Sequence, residues 1–529
     1  MLKSFILSSS HNLHSISTPI NYAINHPLCS SFIILSVYII WYLISCYFYE
    51  NTFNSILRCD KLMEEGYEKY GKFNLPFRIP NLFSGSMVIL PPKMITELRS
   101  AREDVLSMHS WFDDENSNSH VFFTKHLPLQ GYHLKTVRQA AKLPDTIPNL
   151  EREIEQSFDR ALKALGKYEQ LNMGEWAEID PLELSHCIVQ RLTWAVLGGK
   201  ELANNEELMK LVQDYAISVF TGVAMLRVWK RWIRCVIGPF VTASNRVRVW
   251  KIKRILGPAV EHRMEAFQKY FYNGKDNKDI LDSLISESYR LGPAHHNIHE
   301  IIMRVLMLSW AALHTTSGAL ANALFNLAAV DQNTGQDYRT ILENELQAVF
   351  SEGSKLPVMK PRWTKITLSR VVGMASFLKE TLRIHMVGAG QHCRRVVKEG
   401  GHTFSNRLYV PAGVCICVSG IIIHSDPENY PNPKVFDGLR FGGPYERSRE
   451  EMNDSDVKLT MPTKNFVVFG GGHHICPGRN LADIELRMAL AHFIENYDLE
   501  LVSERPERSF MWVFQTPPLG LRIKIRRKS

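Results

Sequence analysis

Residues 469–479 read FGGGHHICPGR, and the stretch that follows, RNLADIELRMALAHFIENY from Arg479, has helical periodicity. Three glycines in a row carry a high conformational entropy cost, so the chain needs their backbone freedom here. Pro477 is tolerated at a helix start, where no intrahelical N–H is lost. Cys476 therefore sits in a loop that opens into a helix. The positive end of that helix and the N–H groups freed by glycine lie near its sulfur, and both stabilise a thiolate. Gly470, Gly471 and Gly472 suit close approach of the backbone to a large flat object, and Phe469 supplies an aromatic wall. The loop reads as a device for holding a thiolate against a planar metal cofactor. Zinc bound by His473, His474 and Cys476 is a poorer reading, because structural zinc takes four ligands in paired spacings and no second cluster follows. A nucleophilic cysteine would need a general base and a substrate pocket.

The chain has 529 residues, 45% hydrophobic and 22% charged, which is ample for a large core. Its net charge is +8, with no basic run before the terminal LRIKIRRKS and no basic patch with interleaved aromatics. Nucleic-acid binding is therefore not expected. A mildly basic surface suits an anionic membrane or an acidic protein partner. Nine scattered cysteines show no framework spacing, which points to a reducing compartment. Residues 28–49, LCSSFIILSVYIIWYLISCYFY, carry no charge and are long enough to span a bilayer as a helix. Tyr38, Trp41, Tyr42, Tyr47 and Tyr49 are interfacial aromatics. A cleaved signal would begin nearer the start and end on small residues. Lys3 before the run, with Arg58 and Lys61 after it, favours a cytosolic body.

KLMEEGYEKYGKF reads as a short amphipathic helix and LPFRIPNLFSGSMVILPP as short strands. Residues 150–350 are mostly helical in period. Asn116–Ser119 reads as a polar loop. One helix, from Asn297 to about Val330, is apolar nearly all round, with Asn297 and Glu300 in capping-box spacing. Arg304, His314, Asn322 and Asn326 argue against a second membrane span. Near the end, HTFSNRLYVPAGVCICVSGIII and SFMWVFQTPPLGLRIKI read as strand pairs around Pro/Gly turns. The expected fold is mainly α with minor β. The domains are a tail (1–27), an anchor (28–49), a linker with the first amphipathic helix (50–75) and a catalytic domain (76–529).

The set Phe469, Gly472, His474, Cys476 and Gly478 resembles the heme-binding loop of the cytochrome P-450 superfamily. Three further segments match in the family's order. KETLR places Glu380 and Arg383 three apart on one helix face, like the family's ExxR pair. HSDPENYPNPKVFDGLRF looks like its meander, with Arg440 locking onto that pair. AALHTTS, in the long helix, matches the Ala/Gly-Gly-x-Asp/Glu-Thr signature with Ala311, Ala312, His314, Thr315 and Thr316. The resemblance implies the P-450 fold, a long central helix over heme b (iron-protoporphyrin IX), with Cys476 as the axial iron ligand. It implies that Thr315 guides protons to the oxygen being activated. His314 stands where an acid is usual; it is either a proton relay or a core histidine. Arg138 resembles the arginine that pairs with a heme propionate, although Leu134 replaces the family's tryptophan. Arg394 and Arg395 both lie where another propionate partner is expected. The proline often found after ExxR is missing from HMVGAG.

By this resemblance the chain is a membrane-anchored monooxygenase of the endoplasmic reticulum, most similar to fungal members that oxidise terpenoid, indole-diterpene and gibberellin-type intermediates. It would take electrons from NADPH through a reductase. Its substrate walls would come from Met108–His120, Phe220–Trp232, the central helix and Phe510–Pro518, and would suit a bulky apolar ligand. Two rivals stand beside it. One is a heme-thiolate isomerase or dehydratase that uses no external oxygen, which retention of Thr315 disfavours. The other is a non-catalytic heme or metal-binding sensor.

Overall fold

The computed structural model describes residues 58–528 apart from 82–84, 117, 124–130, 228, 230, 271–277, 330–336, 354–361, 443–456, 505–508, 512–513 and 519. The predicted span at 28–49 lies outside these residues. Among the described residues, no helix is long and apolar enough to cross a membrane.

The longest helix is Ile298–Ala328, two residues shorter at its end than the sequence suggests. Asn297 caps it by accepting the Glu300 N–H, and Glu300 pairs with Arg304 one turn on. Its polar residues are tied to neighbouring protein. Ser309 accepts from Trp194 Nε1 at 2.9 Å, Asn326 donates to Thr381 Oγ1 at 3.1 Å, and Asn322 bonds Gly318 O. This is a core helix, not a span. Around it pack helices Pro181–Leu197, Ala243–Tyr270, Val372–Ile384 and Arg479–Asn496. Pro181–Leu197 starts where Asp180 accepts the Leu182 N–H and Pro181 fills the first turn. Together these elements enclose one apolar core.

A second, smaller core lies under a five-stranded sheet. Its strands run Phe77–Asn81, Gly85–Leu90, Cys415–Ser419, Gly390–Val396 and Leu106–Ser107, in that spatial order. Gly85–Leu90 and Cys415–Ser419 pair in parallel and the other pairs are antiparallel. The two ends of the body are thus stitched through one sheet. A three-stranded sheet joins Ala177–Ile179, Ile523–Arg527 and Tyr497–Leu501.

Three local readings change. Where a polar loop is expected, helix Met108–Asn116 ends at Asn116 and helix Asn118–Val121 begins at Asn118. GIIIHS after the Cys415 strand is helix Gly420–Ser425, because Ser419 caps it by accepting the Ile422 N–H; a buried apolar run reads alike in strand and helix. The Pro/Gly segment before Ile523 is not a hairpin turn, since Ser509–Met511 pairs with Phe514–Thr516 and Ile523–Arg527 pairs elsewhere.

Glu485, on helix Arg479–Asn496, is buried against helix Pro181–Leu197 with only a long bond from Thr193 Oγ1 at 3.5 Å. Burial pushes its carboxyl up to about 8, so it is protonated in the fold at neutral pH. The folded state then binds a proton that the unfolded chain has released, and stability falls as pH rises from the ordinary carboxyl range through about 8. Glu485→Gln, which mimics the neutral acid, should raise the thermal unfolding midpoint, with a gain that grows between pH 5 and 8. A gain that stayed constant with pH would contradict this assignment.

Candidate functional site

The site rests on a buried ion pair. Helix Val372–Ile384 places Glu380 and Arg383 one turn apart, and both side chains are fully buried. Arg383 Nε and Nη2 donate to the two Glu380 oxygens at 2.7 and 2.8 Å. Arg440 Nε adds a third charged donor at 3.0 Å, and the Asp437 N–H a fourth at 3.2 Å. The remaining donors close on backbone. Arg383 reaches His424 O and Pro433 O, and Arg440 reaches Pro431 O and Val435 O. A surface ion pair would contribute little; this one is desolvated and its donors are satisfied, so removing either partner leaves a buried charge.

The cluster is wired to the cysteine loop through His424. The Val467 N–H donates to His424 Nε2 at 3.2 Å, so Nδ1 carries the proton and donates to Arg383 O at 3.0 Å. Two residues after Val467 the loop begins. The Cys476 N–H donates to Phe469 O at 2.8 Å, closing it, and Phe469 packs on the helical core. Arg479 Nη1 bonds Cys476 O at 2.9 Å and its Nε bonds Thr460 O. Helix Arg479–Asn496 then runs against the central helix.

The glycines have a use beyond approach to a planar group. Gly472 has φ +64, and a Cβ on it would lie 2.2 Å from the Arg99 carbonyl oxygen. A Cβ on Gly471 would lie 2.4 Å from Arg99 Nε. The loop is therefore pressed onto helix Ile95–Ser100, and Arg99 Nη2 ties it to Thr463 O at 2.7 Å. Gly478 is under no such constraint; its nearest neighbour, Val137 Cγ1, would be 3.5 Å from a Cβ.

At the sulfur, burial pushes the Cys476 thiol up, and it outweighs the N–H groups of Gly478 and Arg479 and the Arg479 charge, which pull it down. The protein groups alone do not make a thiolate, and a cation bound at the sulfur would have to complete the task.

His474 donates from Nε2 to Glu103 at 2.5 Å. Burial and the Arg394 charge lower its own basicity to about 4, so this is a neutral ring donating a hydrogen bond. Burial raises the Glu103 carboxyl, but donors at His109 Nδ1, Ser107 Oγ and the Met108 N–H hold it at about 2. Of the two candidate arginines, Arg394 points inward: it is 2% exposed, and its Nε and Nη2 have no partner among the described residues. Arg395 reaches the Gly413 carbonyl at the surface. Arg138 is exposed and makes a long bond, 3.4 Å, to His473 O on the cysteine loop. A cysteine with two N–H donors, on a loop whose His474 feels the charge of the buried Arg394 with its unpartnered nitrogens, fits a metal group that also carries anionic arms.

In the central helix, Ala311 and Thr315 are accessible, with Trp310, Ala312 and His314 half-buried around them. Thr315 Oγ1 bonds Ala311 O at 2.8 Å. His314 faces elsewhere: it bonds the Ala216 carbonyl, and its ring stands edge-on to Phe220 at 4.4 Å and His186 at 5.4 Å. Burial lowers its basicity to about 3. It is packed as a core histidine that clasps helix Glu206–Arg227. Of the expected substrate walls, Phe220 and Trp310 meet at 5.4 Å, and Pro517 lies against Gly318. Trp232, by contrast, is an outward-facing residue. Arg99, Glu103, His109 and His424 were not singled out by sequence reading. They lie far from the cysteine in the chain and form no local motif.

Comparison with known proteins gives a match to the Cytochrome P450 family model over residues 54–525. Cytochrome P450 monooxygenase gloP of the fungus Glarea lozoyensis is 26% identical over 88% of this chain and 86% of its own length. Cytochrome P450 monooxygenase pbrC of Penicillium brasilianum is 24% identical over 89% and 87%. Among solved structures, the retinoic acid-bound cyanobacterial CYP120A1 aligns with a TM-score of 0.60 at 17% identity, covering 90% of this chain and 96% of its own. That last likeness concerns the fold.

Three substitutions test the geometry. Arg383→Met removes two of the four donors from the buried Glu380, at a cost of about 3–5 kcal/mol, and should abolish a folded product on expression. Gly472→Ala forces a Cβ into backbone and should lower the thermal midpoint, while Gly478→Ala should leave it within a degree or so of the parent.

Proposed function

The chain belongs to the cytochrome P450 family and is a monooxygenase, an oxidoreductase, and we propose that Cys476 is the axial ligand of its heme. The observation that carries the proposal is the Cys476 loop, with its two N–H donors, set near the unsatisfied Arg394. When bound, heme supplies the activation of dioxygen, and the chain's own groups do the rest. Arg394, with Arg138 and His474 at the loop edge, would hold the anionic arms of the macrocycle. Thr315 presents a hydroxyl on the accessible stretch of the central helix and hands on protons there. Its bond to Ala311 O fixes that hydroxyl in orientation. His314, held by Ala216 and its aromatic neighbours, positions helix Glu206–Arg227 instead of reaching Thr315.

The substrate class is the finer part of the reading. Phe220, Trp310 and the Pro517 segment present mostly apolar surface beside the central helix, which suits a bulky apolar molecule such as a terpenoid-type intermediate of fungal secondary metabolism. Residues 28–49 anchor the chain in the endoplasmic reticulum membrane with the catalytic body in the cytosol, and an NADPH-dependent reductase delivers electrons.

The test begins with deletion of the gene in its host and isolation of the compound that accumulates. That compound is then fed to cells making this protein with a reductase. The expected product is heavier by one oxygen atom, and that atom comes from labelled dioxygen. Thr315→Ala should lose most of the product, by roughly the 100-fold that positioned proton transfer contributes, while still binding the compound. A product of unchanged mass, formed without oxygen, would overturn the reading.

A further inference from the structure

The five-stranded sheet is deformed at one point, and two cysteines meet there. Strands Gly390–Val396 and Cys415–Ser419 run antiparallel, but their register slips between Gln391 and Arg394. His392 and Cys393 therefore stand together opposite the single residue Cys417, which is a β-bulge. His392 has φ +54, a left-handed backbone that few residues other than glycine adopt. A hydrogen bond joins the Cys417 and Cys393 sulfurs. Gly390 makes room for them: a Cβ on it would lie 3.2 Å from Cys417 Sγ and 3.4 Å from Cys393 Sγ, so a side chain there would press on both.

Other sulfurs share this smaller core, and none is placed alike. Met87 Sδ is 3.2 Å from Cys417 Sγ, but a thioether has no proton to lose and forms no disulfide. Cys59 and Cys415 act on Cys417 only through charge, and Cys415 stands opposite Arg395, two pairs along the ladder. A buried cysteine is ordinarily inert packing. Cys393 and Cys417 differ because they face each other across neighbouring strands. Opposed Cα atoms in an antiparallel pair are about 4.5–5.5 Å apart, inside the roughly 4.4–6.8 Å that a disulfide spans. The two are also unequal. Cys393 keeps 8% exposure and its charge acts on Arg394, while Cys417 is fully buried. The bond to Cys393, and then burial, push the Cys417 thiol up, so it keeps its proton and reacts second.

We propose that Cys393 and Cys417 are a dithiol modification site, which hydrogen peroxide converts reversibly to a cross-strand disulfide. In the first step the Cys393 sulfur attacks peroxide. The O–O bond breaks, Cys393 becomes a sulfenic acid and one water leaves. In the second step the Cys417 sulfur attacks the Cys393 sulfur. The S–S bond forms, and the sulfenic oxygen leaves as a second water with the Cys417 proton. Two thiols are oxidised and one peroxide is reduced to two waters. Peroxide is small enough to reach a sulfur with little exposure, and a reducing compartment returns the pair to thiols between such events. The disulfide pins the bulge in strand Gly390–Val396, where the Cys393 carbonyl accepts from Arg394 Nη1 at 2.8 Å. The site makes no use of Cys476, so it stands or falls apart from the heme reading.

The full-length protein is treated with hydrogen peroxide, denatured, blocked at its remaining thiols with N-ethylmaleimide and digested with trypsin. Cys393 falls in peptide 384–394, and Cys415 and Cys417 fall in peptide 408–434. The expected product from the monomeric chain is the two peptides joined, lighter than their sum by two hydrogens and separated again by dithiothreitol. Cys415→Ser should keep the link. Cys417→Ser should lose it and leave Cys393 to oxidise further to the sulfinic acid. Recovery of both Cys393 and Cys417 as maleimide adducts in the treated parent overturns the proposal. So does sulfinic acid at Cys393 in the parent, which would show that Cys417 does not reach it. A link that joins Cys393 to Cys59, that is lost in Cys415→Ser or that survives in Cys417→Ser overturns it as well. The measurement on the parent and on Cys415→Ser decides the matter even where Cys417→Ser yields no folded protein.

Discussion

Glu380 is a carboxylate with no exposure to water, and the back of the site is organised around that fact. A buried charge must be matched or the fold does not form. Two guanidiniums and a backbone N–H match it. To deliver them, the chain has to bring helix Val372–Ile384, the segment carrying Pro431, Pro433 and Arg440, and His424 to one place. Glu380 and Arg383 have no exposed edge that could do chemistry, and only Arg440 reaches the surface. Its role is to fix geometry, and it does so with hydrogen bonds to backbone carbonyls on separate segments.

From there the constraint passes to the cysteine in two ways. His424 joins the Arg383 carbonyl to the Val467 N–H, which sets the start of the loop. On the far side, Arg99 and the side-chain-free Gly471 and Gly472 press the loop down on helix Ile95–Ser100. Cys476 is held between a rigid entry and a rigid helix. The sulfur itself is left under tension of a different kind: burial favours the thiol, and the local N–H groups favour the thiolate but lose. On the proposed reading, a bound metal would tip that balance to the thiolate. That suits a protein whose chemistry belongs to a cofactor and whose own task is to place and protect it.

Much of this was legible from the residues, and the part that was not has a common cause. Local patterns were readable. The apolar central helix, the Glu380/Arg383 spacing and the loop-to-helix opening at Cys476 all depend on neighbours within a few positions. What escaped depends on residues far apart in the chain. Gly472 looked like space for a planar group, yet its closest neighbour is the carbonyl of Arg99. Glu103 and His109 come from a different segment to engage His474, and no spacing rule connects them. His314 could be narrowed only to a relay or a core residue, because adjacent positions on a helix point about 100° apart and only the packing shows that its side chain turns to Ala216 while Thr315 turns to open space. The buried run GIIIHS was ambiguous for the usual reason, that burial on all sides erases periodicity.

The central claim is that the Cys476 sulfur is the iron ligand. The most direct measurement is the carbon monoxide difference spectrum of the reduced full-length protein beside that of Cys476→Ser. The account predicts the strongly red-shifted band of a thiolate-ligated heme in the parent and its loss in the variant. A variant that kept that band would place the ligand elsewhere and contradict the account.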